Sequence, residues 1–195
     1  MSRKFRFWVC ALLVLILVFT TMSCSYKKFT LREGYSHFSF AYPANYENVL
    51  IDTIGTYTDA AFQRSMLEEQ YEDSWIGLTI REPSPKSGQI DAKTSIEYDI
   101  ENFSNNDNFQ LLERSQVTVA GIKAEKFVCA FTRYPNWEYV EDTKDIKEAS
   151  TIFWWGVSFD YNGLIWDIYM GSIEKTAESD KQIFDHIIET FRILK

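Results

Sequence analysis

Asn162-Gly163 lies between two long arms of strand-forming residues, and no other feature restricts the fold as much. A two-residue type I′ turn needs positive φ at both central positions, which Asn and Gly adopt at little cost. The arms are Thr151–Tyr161 and Leu164–Ser172. In the second arm Leu164, Trp166, Ile168 and Met170 alternate and share one face. In the first, Trp154 and Trp155 are adjacent and point to opposite faces, so one burial side cannot hide both. A sheet covered on both sides satisfies both. Trp166 is expected to pair with one of them across the ladder.

The rest of the chain extends this meander. Gln110–Val119 and Ile122–Arg133 read as strands joined by a compact Ala120-Gly121 turn. Tyr35–Pro43 alternates aromatic and small polar residues and stops at proline. Thr53–Gln63 reads as one extended segment, and Ser74–Glu82 as a strand ended by Pro83-Ser84-Pro85. Thr94–Phe103 places Ile96, Ile100 and Phe103 at helical spacing, with Asp91 or Thr94 as cap. Ala177–Thr190 reads as a closing helix with Ile183, Ile187 and Phe191 inward and Thr176 or Ser179 at its start. Pro135–Glu148 is an acidic excursion. Strands in succession with helices kept apart indicate an α+β fold, an antiparallel sheet covered by helices.

The first 23 residues read as a secretory signal. Arg3, Lys4 and Arg6 precede an apolar run, Phe7–Met22, that falls short of the roughly 20 residues of a spanning helix. Thr21-Met22-Ser23-Cys24 resembles a bacterial lipobox, which implies that Cys24 is acylated, by palmitate or a similar chain, and becomes the new N-terminus. Plain cleavage after Ser23 and an uncleaved anchor are the alternative readings. Two or more acyl chains make stable attachment, at about 0.8 kcal/mol per buried methylene. The organisation expected is signal peptide 1–23, lipid-anchored tether 24–33 and one domain, 34–195, on the extracytoplasmic face of a bacterial membrane.

Charge narrows the partners. Three of the 20 basic residues and none of the 28 acidic ones lie in the signal, so the remainder is more acidic than the chain's net charge of −8. Such a body repels nucleic acid, whose binding rests on basic contacts to phosphate. Three cysteines make no disulfide framework. Cys10 belongs to the signal, Cys24 is the lipidation candidate, and Cys129 alternates with Phe127 and Phe131 as a small buried residue.

Catalytic patterns are sparse. His37 and His186, the only histidines, read as surface residues, and no HxxxH or CxxC spacing begins a zinc site. Glu68, Glu69, Glu72 and Asp73, and Glu138, Glu141, Asp142, Asp145 and Glu148, could offer oxygen to weakly held calcium, but neither run has the EF-hand order. They read as solvated acidic loops, and no cofactor is expected. The chain is expected to bind and not to catalyse. Trp137 and Tyr139 from the excursion, with Trp154, Trp155 and Trp166, are the candidate lining of an aromatic groove.

Three stretches carry a family resemblance: Phe38-Ser39-Phe40-Ala41-Tyr42-Pro43, Val119-Ala120-Gly121, and Phe184–Leu194 with Glu189-Thr190-Phe191 at the end of a helix. In these the chain resembles the PsbP-like family of photosystem II extrinsic proteins and their non-photosynthetic relatives. His37 and Tyr46 depart from the family's usual glycine and tryptophan. The resemblance implies an α-β-α sandwich around a central antiparallel sheet, and docking onto a membrane protein complex. A small-molecule or envelope-glycan binding module is the alternative reading.

Overall fold

The computed structural model of the chain describes residues 25–33, 36–64, 74–133 and 149–195. Its strands are β1 (Tyr26–Glu33), β2 (Ser36–Pro43), β3 (Tyr46–Ile54), β4 (Tyr57–Arg64), β5 (Ser74–Arg81), β6 (Gln110–Val119), β7 (Ile122–Arg133), β8 (Ser150–Tyr161), β9 (Leu164–Ile173) and β10 (Arg192–Ile193). Helix α1 (Ala92–Ser104) follows β5, and helix α2 (Ala177–Thr190) follows β9.

Local chemistry sets the turns and the helix start. Asn162 and Gly163 both have positive φ, 52° and 75°, and close the β8–β9 hairpin with Tyr161 opposite Leu164. Ala120 and Gly121 do the same for β6–β7 at 50° and 82°. Asp91 caps α1 in a capping box: its carboxylate accepts from the Thr94 amide at 2.8 Å, while the Thr94 hydroxyl accepts from the Asp91 amide at 3.0 Å. Thr176 stands at the N-cap of α2 without a capping bond; its hydroxyl pairs with that of Ser172 instead.

Two antiparallel sheets result, one ordered β3-β4-β5-β9-β8-β7-β6 and a smaller one ordered β1-β2-β10. Residues directly opposite in an antiparallel ladder point the same way. Phe62, Ile76, Met170, Trp155 and Val128 thus form one row on the inner face of the large sheet. Gln63, Trp75, Gly171, Trp154 and Cys129 form the neighbouring row on the outer face. The inner face is covered by α2 through Ile183, Phe184 and Ile187, and by β2 through Phe38 and Phe40. Phe40 meets Phe62 edge-on at 5.3 Å, and Phe38 meets Trp166 at 5.9 Å. Each such fully buried ring contributes about 1.5–3 kcal/mol. On the outer face α1 packs across β7, β8 and β9 and closes a second cluster of Ile96, Phe127, Cys129, Phe131 and Ile152.

Three expectations change. The α+β class with an antiparallel sheet holds, but the inner layer is a helix together with a second sheet, so the fold is richer in strand than an α-β-α sandwich. Residues 26–33, expected in the tether, form β1, paired with β2 along its whole length and burying Leu31. There Lys27 donates to the Tyr46 carbonyl at 2.9 Å and lies 5.3 Å from the Tyr42 ring centroid. Thr53–Gln63 is not one extended segment. Gly55, at a φ of 62°, turns it into the β3–β4 hairpin.

Candidate functional site

Among the described residues the outer face of the large sheet is only partly roofed by α1, and the part beyond the helix begins with an aromatic group on a glycine floor. Gly77 and Gly171 carry no side chain where the Tyr169 and Trp75 rings lie flat; a Cβ would come within 2.1 Å and 2.2 Å of those rings. Trp154 stacks on Tyr169 at 5.2 Å, meets Trp75 edge-on at 5.7 Å and touches Phe103 of α1 at 4.8 Å. Trp75, Trp154 and Tyr169 are all half-buried, and the Trp154 Nε1–H is buried without a hydrogen-bond partner. An unpaired buried donor of this kind costs about 1–3 kcal/mol.

Carboxylates flank the rings. Arg81 pairs with Asp167 at 3.1 Å, and Ser95 of α1 bridges them, accepting from Arg81 at 2.8 Å and donating to Asp167 at 3.0 Å. Asp99, one turn further along α1, has its carboxyl pushed up to about 7 by burial, with Asp167 adding to the shift and Arg81 opposing it. Asp59 accepts from the Thr79 hydroxyl at 3.3 Å, and burial raises its pKa above the ordinary carboxylate value. Burial, then Asp59, pushes the Tyr169 phenol up to about 12. Among the described residues no three His, Cys, Asp or Glu side chains stand close enough to hold a metal ion. The Cys129 thiol is fully buried and pushed up to about 12 by desolvation, then by Asp99, so it is a poor nucleophile. The arrangement offers apolar ring faces and hydrogen-bond acceptors, which is the chemistry of recognition.

The β3–β4 hairpin extends this face to the sheet edge. Ile54 is 69% exposed and Tyr57, opposite it, 41%; Asp52 and Asp59 form the next pair on the same side. Val49 and Ile51 are 57% and 44% exposed.

Of the residues singled out in the sequence, only Trp154 lies at this site. Trp155 and Trp166, at 3% and 1% exposure, belong to the core under the opposite face and offer no surface to a ligand. Trp166 pairs across the ladder with Phe159, not with either neighbouring tryptophan, because the tight turn places it seven residues from Phe159. Trp137, Tyr139, Cys24 and both acidic runs lie outside the described residues. His186 is half-buried, its ring 4.1 Å from that of Tyr26, and His37 is half-buried in β2. Sequence reading missed Trp75, Tyr169, Asp99 and Asp167; alternation around Gly77 and Gly171 was the available signal for the first two.

A separate open pocket of about 460 Å³ lies where the β6–β7 turn meets the end of α2, lined by Thr118, Ala120, Gly121, Ile188, Glu189 and Arg192 among others. Arg192 spends its Nη1 on the Glu189 and Phe191 carbonyls, so the pocket's cation is already engaged.

No protein-family profile and no curated protein matches the sequence. Solved structures do match. LpqN of Mycobacterium tuberculosis, described as involved in cell envelope biogenesis, aligns over 87% of this chain and 92% of its own, at 12% identity and a TM-score of 0.56. The cyanobacterial PsbP of Synechocystis aligns over 88% and 94%, at 13% identity and a TM-score of 0.53. The Ran-binding protein Mog1p of Saccharomyces cerevisiae aligns over 88% and 96%, at 16% identity and 0.53. The chain has the PsbP fold. Within the PsbP fold, the stretches that carried the resemblance are packing elements: Phe38, Phe40, Val119 and Phe191 are all buried, with Phe38 stacked on Phe191 at 5.7 Å. Shared core residues transmit a fold and leave the choice of ligand to the surface.

Proposed function

We propose that this protein is an extracytoplasmic, non-catalytic binding module, held at a bacterial membrane by lipid on Cys24, that docks onto a membrane protein complex and assists its assembly or stability. The observation that carries the reading is the open outer face. Exposed Ile54 and Tyr57 continue into the half-buried rings of Trp75, Trp154 and Tyr169, with carboxylates between them. Apolar anchors rimmed by polar groups are what protein interfaces are built from. Two proteins of the same fold are described in binding or envelope terms, LpqN and Mog1p, and this supports the choice of class. None of the described helices is long and apolar enough to cross a membrane, so in this reading the N-terminal segment supplies the attachment.

The test is photocrosslinking in intact cells from a reactive residue at Ile54, with further probes at Trp137 and Tyr139, followed by mass spectrometry. One recurrent membrane complex, lost with Cys24→Ser and, from the Trp137 and Tyr139 probes, with Ile54→Glu/Tyr57→Glu, supports tethered docking. No recurrent complex from any position sinks it. The Trp75–Trp154–Tyr169 group, with Asp59 and Asp167 acting on the Tyr169 phenol, favours a second reading, an envelope glycan on the same face. Melting points that climb with added sugar, and stop doing so in Trp75→Ala, would support it.

A further inference from the structure

Among the described residues four strands end the two sheets: β1 and β10 in the small one, β3 and β6 in the large one. A strand at an edge offers unpaired backbone donors and acceptors, and proteins guard such edges with charge, above all lysine, or with shortness and bulges. β10 is two residues long. β1 carries Lys27, Lys28 and Arg32. β6 carries both signs, with Arg114 paired to Glu97 at 3.1 Å and Glu113 to Lys126 at 3.3 Å. β3 differs. From Tyr46 to Arg64 the hairpin holds Glu47, Asp52 and Asp59 and a single cation, Arg64, which is committed to Asp180. At its start Lys27 sits on the Tyr46 carbonyl and a bulge falls between Asn48 and Leu50; beyond them Leu50–Ile54 pairs regularly with Ala61–Tyr57 and carries no lysine. Along that regular stretch Ile51 and Ile54 are well exposed, on opposite faces.

We propose that β3 takes an added strand from a basic segment of a partner protein, one that alternates Lys or Arg with β-branched residues. This rests on the docking reading and names the chemistry of its partner. Backbone hydrogen bonds along β3 would supply the affinity and the alternating side chains the selectivity. On the outer face the incoming cations would meet Asp52 and Asp59; on the other face apolar side chains would cover Ile51. The charge of the edge selects against a second copy of this chain, which would bring two more carboxylates, Glu47 and Asp52, and no cation.

The experiment is amide hydrogen exchange on the full mature chain, followed by mass spectrometry, with three synthetic probes. One peptide alternates valine and lysine, the second valine and glutamate, and the third is the lysine peptide with a central proline. The expected result is exchange over Ile51–Ile54 slowed about tenfold by about 1 mM lysine peptide, with little effect of the other two and a loss of the effect at high salt. No slowing, or equal slowing by the glutamate peptide, overturns the proposal. Outward-facing β3 amides that are already slow without peptide also overturn it, since the edge is then filled by the chain itself. Crosslinks from Ile54 to one complex, with β3 exchange unchanged in that complex, would discard strand addition and keep docking. Absence of both would discard both.

Discussion

Replacing Asp180 by alanine tests whether the buried polar network beneath α2 holds this face of the fold together. Asp180 is fully buried in the first turn of the helix, where its carboxylate accepts from Arg64 and, at 2.6 Å, from Ser172. Arg64 also donates to the Tyr46 hydroxyl at 3.2 Å, and that hydroxyl is bonded to Ser74. Burial works against the Arg64 charge, but Tyr46 and Asp180 outweigh it and hold its pKa above the usual value. Removing one member of a fully buried pair costs about 3–5 kcal/mol, because the other charge is left without a counter-ion. The Arg64 side chain is 22% exposed, so water recovers part of this, while Ser172 keeps its bond to Thr176. The loss of a carboxylate at a helix N-terminus adds about 0.3–1 kcal/mol. Asp180→Ala is therefore expected to cost about 3 kcal/mol in urea unfolding at constant m-value. Arg64→Met combined with Asp180→Leu should cost less than Asp180→Ala alone, since no unpaired charge remains. A loss under about 1 kcal/mol for the single variant, or a double variant equal to the sum of its parts, would refute the reasoning.

Gly171→Ala drives a Cβ to 2.2 Å from the Trp75 ring and should cost about 1–3 kcal/mol with a shift in tryptophan emission; unchanged stability and spectrum would show that the ring does not lie there. Ala120 sits at a φ of 50°, where a side chain is penalised, so Ala120→Gly should stabilise the chain by about 1 kcal/mol in urea unfolding, and a loss would contradict that turn. Asp99 has a folded pKa near 7, above its unfolded value of about 3.9, so the folded state holds the extra proton between these. Its contribution thus falls as pH rises from about 4 to about 7, and the penalty is complete above that. Asp99→Asn should raise the melting point at pH 8 and change it little at pH 4; an equal gain at both would refute the burial argument.

Much of the fold was legible because its determinants are local. Asn162-Gly163 and Ala120-Gly121 turn the chain wherever their neighbours lie, and Asp91 with Thr94 starts a helix by bonds within four residues. The β3–β4 hairpin was harder to read, since Gly55 is its lone turn signal and exposed β3 lacks the alternation of a half-buried strand. The tether shows the same limit. Lys27, Lys28 and Arg32 look like linker residues, yet β1 forms because β2 lies opposite it residue for residue and pairs the backbone groups that face it.

The site itself lay beyond the sequence for a related reason. Trp154 and Trp155 have the same composition, the same strand and the same period, and alternation says only that they oppose each other. Which one is core depends on what covers each face. α2 and β2 arrive from distant parts of the chain to bury Trp155, while on the other face α1 is the one described helix and leaves Trp154 half-buried. Asp99, Asp167 and Arg81 are likewise ordinary surface residues in sequence and become a half-buried charge cluster only when α1 settles on the sheet. The sequence by itself determined turns, caps and strand alternation, which arise from backbone torsions and neighbours a few residues apart. Tertiary structure decided which rings and carboxylates share a face and which remain open to a partner, because coverage is set by elements that meet only once the chain has folded.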